Sequence, residues 1–192
     1  MHGVKRLFAW MLPRFDASRF TVSLVSLRKK DLSEETLESL GVAISYLHRS
    51  AFDPATLTAL LKIIDHRSID LLHLHGPGAA AFGRAAAAMR RLPTVLHEHA
   101  GLAGTSWHQK LADRALVRFT DVALADSEQT ADFVIRARFV PARKVKVIGS
   151  GCDDGAYVRK LERLYTMLHD VPRHHAGMLE HDLSFLTSRW PS

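Results

Sequence analysis

Ile69-Asp70-Leu71-Leu72-His73-Leu74-His75-Gly76-Pro77-Gly78 leads into a run of small residues from Ala79 to Ala88, and Pro93-Thr94-Val95-Leu96-His97-Glu98-His99 follows. The apolar run reads as a buried strand, Gly76-Pro77-Gly78 as a tight turn, and the small residues as a helix able to approach a sheet closely. Pro77 suits the first helical position, where its missing N–H would be unpaired in any residue. Arg90-Arg91 places positive charge at the helix C-terminus, where the dipole favours it. The second apolar run repeats the strand pattern, so the stretch is one βαβ unit with a His-x-His pair closing each strand. In open α/β sheets that C-terminal edge is where ligands bind.

The same alternation extends in both directions. Upstream, Asp53-Pro54 opens a helix through His66 whose Leu57, Leu60, Leu61 and Ile64 share one face. Val42 to Leu47 and Arg19 to Leu27 read as strands, and Ser33 to Gly41 as a short helix between them. Gly3 to Phe15 carries Val4, Leu7, Phe8, Met11 and Leu12 at helical spacing. It reads as a core-facing amphipathic helix, with a sharper alternative in which Phe8, Trp10 and the basic residues touch an anionic membrane surface.

Downstream, a helix from Ser106 to Phe119, a strand from Asp121 to Ala125, a helix capped by Asp126-Ser127-Glu128, and a strand from Val145 to Ile148 complete the pattern. Strand–helix alternation of this kind predicts an α/β chain, a single Rossmann-like domain with a mainly parallel sheet and flanking helices. Residues 1–150 form that domain in this reading, and 151–155 a linker. Residues 156–168 form a helix with Val158, Leu161, Leu164, Tyr165 and Leu168 on one side, and 169–192 an irregular tail.

At 192 residues and 47% hydrophobic content the chain can bury one substantial core. A lone cysteine, Cys152, excludes an internal disulfide framework and fits a reducing, cytoplasmic setting. The formal charge of +6 favours contact with anions such as phosphorylated sugars or acidic lipid headgroups. Its basic residues are scattered without interleaved aromatics, so nucleic acid is not an expected partner.

Several stretches together resemble the N-terminal, acceptor-binding domain of glycosyltransferase family 4, whose GT-B fold has two facing Rossmann-like domains. His2-Gly3-Val4-Lys5-Arg6 resembles the Gly-Gly loop and helix that follow the family's first strand, and Asp70 to Gly76 resembles its strand and loop ending in His-x-His-Gly. Pro93 to Ala100 is similar to the next strand, with a histidine at the position of His99. Ala125 to Glu128 and Lys144 to Asp153 resemble the segments leading to the interdomain linker, and Ala156 to Leu168 the terminal helix that crosses back onto the first domain.

The resemblance implies transfer of a hexose from a nucleotide sugar to a sugar or lipid-linked acceptor, without a bound metal or other cofactor. It implies that His99 is the catalytic residue beside the reacting sugar and that Gly3 lines the cleft. His75, Gly76, His97 and Glu98, on the same sheet edge, are the further acceptor-binding candidates. Within this expectation the family's first strand would precede Met1, and its donor-binding domain is not among these residues. The chain is then inactive alone, and a separate donor-domain subunit is a candidate partner. A peripheral membrane site and a non-catalytic interaction module are the corresponding alternatives.

Two rival readings use the same residues. Gly76-Pro77-Gly78-Ala79-Ala80-Ala81 matches the G-x-G-x-x-A fingerprint of NAD(P)-binding Rossmann proteins, with Glu98 near the place of the acid that takes the ribose hydroxyls. In addition, His73 and His75 share one strand face, as do His97 and His99, so neighbouring strands could bring four imidazoles together as a metal site.

Overall fold

The computed structural model describes residues 3–27, 43–49, 53–99, 106–149 and 155–170. The helix expected between Ser33 and Gly41, Cys152, residues 151–154 of the linker and the tail beyond Asp170 lie outside them.

Helix α1 (Gly3–Met11) runs into a 3₁₀ turn (Leu12–Arg14) and is followed by β1 (Ser23–Ser26), β2 (Ala43–Tyr46) and α2 (Ala55–His66). The expected βαβ unit is β3 (Leu72–His75), α3 (Pro77–Arg90) and β4 (Thr94–Glu98). Helix α4 (Trp107–Leu116), β5 (Val122–Ala125), α5 (Glu128–Ala137), β6 (Val145–Val147) and α6 (Ala156–Asp170) follow, with 3₁₀ turns at Val117–Phe119 and Ala142–Lys144. Strand β1 pairs with β2, and β3-β4-β5-β6 form a four-stranded sheet; every pairing is parallel. The strands are shorter than the apolar runs suggested, because Arg19 to Val22 and Ile69 to Leu71 lead in without joining a ladder.

Alternation along the strands sorts the core into two layers. Val95 of β4 and Val122 and Leu124 of β5 face α1 and α6, packing with Met11, Phe15, Val158, Leu161, Leu164 and Leu168. Leu74, Leu96 and Ala123 face the other way, onto Ala80 of α3 and Val134 of α5. Leu161 and Leu164 are completely buried, so truncating either to alanine removes about 2–5 kcal/mol. Small residues matter most on α3. A Cβ at Gly83 would lie 2.2 Å from Cδ2 of Leu74, so glycine lets this helix lie directly on β3.

Phe8 and Trp10 are turned inward rather than toward a membrane: the Phe8 ring meets His75 edge-on at 4.7 Å, and Trp10 packs on Tyr157 at 6.2 Å. No helix among the described residues is long and apolar enough to cross a membrane.

Candidate functional site

The two His-x-His pairs end neighbouring parallel strands, and the register places His75 opposite His97. Because residues two apart on a strand share a face, His73, His75, His97 and His99 all point toward α1 and α6. Their rings form a two-by-two array, with His73 stacked on His97 at 5.2 Å and His75 on His99 at 5.1 Å. Gly76 supplies the turn that follows β3. Its φ of +83° is a conformation that L side chains rarely adopt, and it lets α3 begin immediately after His75.

Asp126 ties this array together. It follows β5 directly, and the strand register that pairs His97 with Leu124 carries it next to His99. Its Oδ1 lies 3.0 Å from His97 Nε2 and its Oδ2 2.9 Å from His99 Nδ1. Burial pushes the Asp126 carboxyl up, but the two imidazole hydrogen bonds outweigh it and hold the group at about 2. Ionised, it can only accept, so His97 Nε2 and His99 Nδ1 both donate.

The remaining protons follow from that assignment. His73 Nε2 donates to His97 Nδ1 at 3.2 Å, and His75 Nδ1 to His99 Nε2 at 2.8 Å. The Tyr165 hydroxyl on α6 donates to His73 Nδ1 at 2.5 Å. Every hydrogen bond therefore points toward Asp126, with His73, His75 and His97 each neutral in one tautomer. Burial drives this neutrality: it lowers His73 and His75 well below the usual imidazole range and His97 to about 4. Burial likewise pushes the Tyr165 hydroxyl up, keeping it a donor. Among the described residues no hydrogen bond reaches His75 Nε2, whose lone pair ends the chain.

The sequence-predicted residues separate at this point. His75, His97 and His99 meet in one cluster, Gly76 forms the turn at its edge, and Gly3 opens α1, the helix whose Phe8 packs on His75. Glu98 does not join them. The alternation that puts His97 and His99 on one face puts Glu98 on the other. There Arg138, just past α5, donates from Nε and Nη2 to its Oε2 at 3.2 and 3.1 Å. Arg138 Nη1 also bonds Asp113 of α4 at 2.9 Å, and Asp113 accepts from Arg84 of α3, so four buried charges join β4 to three helices. The carboxylate that an NAD(P) site would aim at a ribose is thus engaged by a guanidinium, and that rival reading loses its acid.

Asp126 and Tyr165 were not among the sequence candidates. Asp126 reads as part of a helix cap, although Ser127 is the residue whose side chain accepts from Thr130 N–H. Tyr165 reads as one more member of an apolar stripe. Strand parity gave the available signal for Asp126: Val122, Leu124 and Asp126 alternate onto the histidine face.

The family model for Glycosyltransferase Family 4 matches residues 1–155. The chain belongs to glycosyltransferase family 4. Solved structures agree on the fold of this family 4 chain. HepE of Anabaena in complex with UDP aligns with a TM-score of 0.65 at 19% identity, over 87% of this chain and 46% of HepE. MurG of Acinetobacter baumannii aligns at 0.53 and 16% identity, over 78% of this chain and 42% of that one. MnaA of Staphylococcus aureus, in a co-structure with UDP, aligns at 0.57 and 15% identity, over 80% and 45%. At these identities the likeness is one of fold, that of the N-terminal half of a GT-B molecule, and this chain spans less than half the length of each. No curated protein matches by sequence.

Proposed function

We propose that residues 1–150 are the acceptor-binding half of a hexosyltransferase that draws on a nucleotide-sugar donor, with 151–155 as a linker and the helix beginning at Ala156 returning onto this half. The observation that carries the proposal is the contact of His75 and His99, 2.8 Å apart, at the C-terminal edge of the sheet and beneath α1. Glycosyl transfer requires the acceptor hydroxyl to be held against the anomeric carbon of the activated sugar. In this reading His99 lies nearest the reacting sugar, and Gly3, His75, Gly76 and His97 surround the acceptor. The open Nε2 of His75 accepts a hydrogen bond from an acceptor hydroxyl, and Asp126 holds the rings in the tautomers that leave that nitrogen free. Glu98 anchors β4 from the opposite face. The donor is held by a second Rossmann-like unit outside residues 1–155, a reading supported by the chain spanning 46% of HepE.

The 192 residues assayed alone then bind an acceptor and transfer nothing. Saturation-transfer NMR with glucose, galactose, mannose and N-acetylglucosamine is expected to show contact that is lost in His75→Phe, with no contact to UDP. Transfer from UDP-glucose or GDP-mannose by this chain alone, or UDP contact untouched by His99→Gln, would contradict the proposal.

A lipid-linked acceptor is favoured by one further observation. Trp107 and Leu111, one turn apart on α4, are 68% and 62% exposed, and Lys110 and Arg114 lie on the same helix. Sedimentation with phosphatidylglycerol vesicles, reduced in Trp107→Ala/Leu111→Ala, is the expected result. Equal sedimentation of the two proteins would remove the membrane from the reading.

A further inference from the structure

We propose that His97, His99 and Asp126 bind one divalent transition-metal ion of the zinc class, with His97 Nε2, His99 Nδ1 and a carboxylate oxygen of Asp126 as ligands. The proposal shares His97 and His99 with the acceptor reading, but titration with the ion alone tests it whether or not that reading holds.

One ligand atom from each of the three residues lies within 4.8 Å of the others. The two imidazole–carboxylate separations, 3.0 and 2.9 Å, are close to the edges of a coordination tetrahedron. With metal–nitrogen bonds of about 2.0–2.1 Å such an edge measures roughly 3.4 Å, so an ion needs only a few tenths of an ångström of opening. Two imidazoles and one carboxylate form a donor set that suits zinc, cobalt and nickel rather than calcium or magnesium.

The surroundings supply what ligating histidines require. Each one's other ring nitrogen normally meets a group that fixes its orientation. His97 Nδ1 already meets His73 Nε2, and His99 Nε2 already meets His75 Nδ1. The site is also open on one side: the His97 side chain is fully buried, whereas those of His99 and Asp126 are 15% and 19% exposed, leaving a fourth position for water or a substrate oxygen. The protons balance without release. When the ion takes the Nε2 lone pair of His97 and the Nδ1 lone pair of His99, each ring carries its proton on its outer nitrogen. His73 and His75 then accept where they had donated, and their own protons sit on His73 Nδ1 and His75 Nε2. His73, His75 and His97 form a second trio of convergent nitrogens. It lacks a carboxylate to offset the charge, so the trio containing Asp126 is the assigned site.

The full chain, stripped with chelator, is titrated with Co²⁺ and followed by its visible ligand-field bands, with Zn²⁺ calorimetry in parallel. One ion per chain is expected. The bands are lost in Asp126→Asn, which keeps the side-chain shape, and in His99→Gln, with far-UV circular dichroism confirming that both remain folded. His73→Gln removes no ligand and weakens binding about 10–100-fold at unchanged stoichiometry. On the wild-type chain, Zn²⁺ shifts the imidazole nitrogen resonances of His97 and His99, a readout that does not depend on any variant folding. No Co²⁺ bands in the wild type would overturn the proposal, as would bands that persist in Asp126→Asn. Bands abolished in His174→Ala/His175→Ala would place the ion on the C-terminal histidine pair and equally overturn it.

Discussion

Arg138 is the residue whose removal should reveal most about how the sheet is held. It is 1% exposed and makes two hydrogen bonds to Glu98 Oε2 and one to Asp113 Oδ2. Arg138→Met keeps the volume and apolar stem but leaves Glu98 buried against no cation. Breaking one partner of a buried pair costs about 3–5 kcal/mol. For a chain of this size that corresponds to a fall in melting temperature of roughly 6–20 °C. Glu98→Gln is milder, about 1.5–3 kcal/mol, because Arg138 retains Asp113.

The decisive variant is Arg138→Met/Glu98→Gln. It leaves Arg84 and Asp113 as a balanced pair with no stranded charge, so its loss falls short of the sum of the single losses by about 1–3 kcal/mol. Urea unfolding of the four proteins, at unchanged denaturant slope, measures this coupling. Additivity within about 0.5 kcal/mol would refute the claim that Glu98 and Arg138 act as one unit.

Gly83→Ala places a methyl group against Leu74, which is itself buried. Overpacking of about 1–3 kcal/mol, less up to about 1 for the gain in helix propensity, leaves a net loss that Leu74→Val should partly restore in thermal unfolding. Tyr165→Phe removes the donor to His73 Nδ1 and should cost about 1–3 kcal/mol by urea titration, with a shifted ¹⁵N resonance at His73 and unchanged resonances at His75. The surface pair of Asp65 and Arg90 gives a pH test. The Arg90 hydrogen bonds hold the Asp65 carboxyl below its usual value, so its contribution is present above the unfolded carboxylate pKa and lost as pH falls through the folded one. The melting-temperature difference between wild type and Asp65→Asn should therefore be steady from pH 7 to 5 and vanish in stronger acid.

The order of strands and helices was legible because each element carries its own period: His-x-His at strand parity, leucines three and four apart on α2 and α6, and Gly-Pro-Gly at a turn. The gathering of four imidazoles followed from that parity once the two strands were read as neighbours. Glu98 was misplaced by proximity in sequence; it sits between two histidines of the cluster, and for that reason must face away from them. The burial of Arg84 and Arg138 was not legible. Their partner Asp113 lies 29 and 25 residues away from them, Glu98 lies 40 residues from Arg138, and nothing local distinguishes these arginines from those at the surface. Asp126 and Tyr165 were hidden differently, since each fits an ordinary local role, as a cap and as a core aromatic, that leaves no residue of pattern to explain.

Burying four imidazoles beneath two helices does not favour stability over an apolar layer, because each ring exchanges good hydrogen bonds to water for comparable ones inside. What the arrangement provides is a defined proton order. With Asp126 the sole anion of the cluster among the described residues, every hydrogen bond is directed toward it and His75 Nε2 is left as an acceptor. With an ion on His97 and His99 the same rings reverse, and His75 Nε2 becomes a donor. On the two proposals, acceptor binding and ion binding meet at His75 Nε2, and the ion occupies His97 and His99 from the acceptor side of the same cluster. A sugar hydroxyl, able both to donate and to accept, can bond to that nitrogen in either state, but its own proton is drawn toward His75 only while the ion is absent.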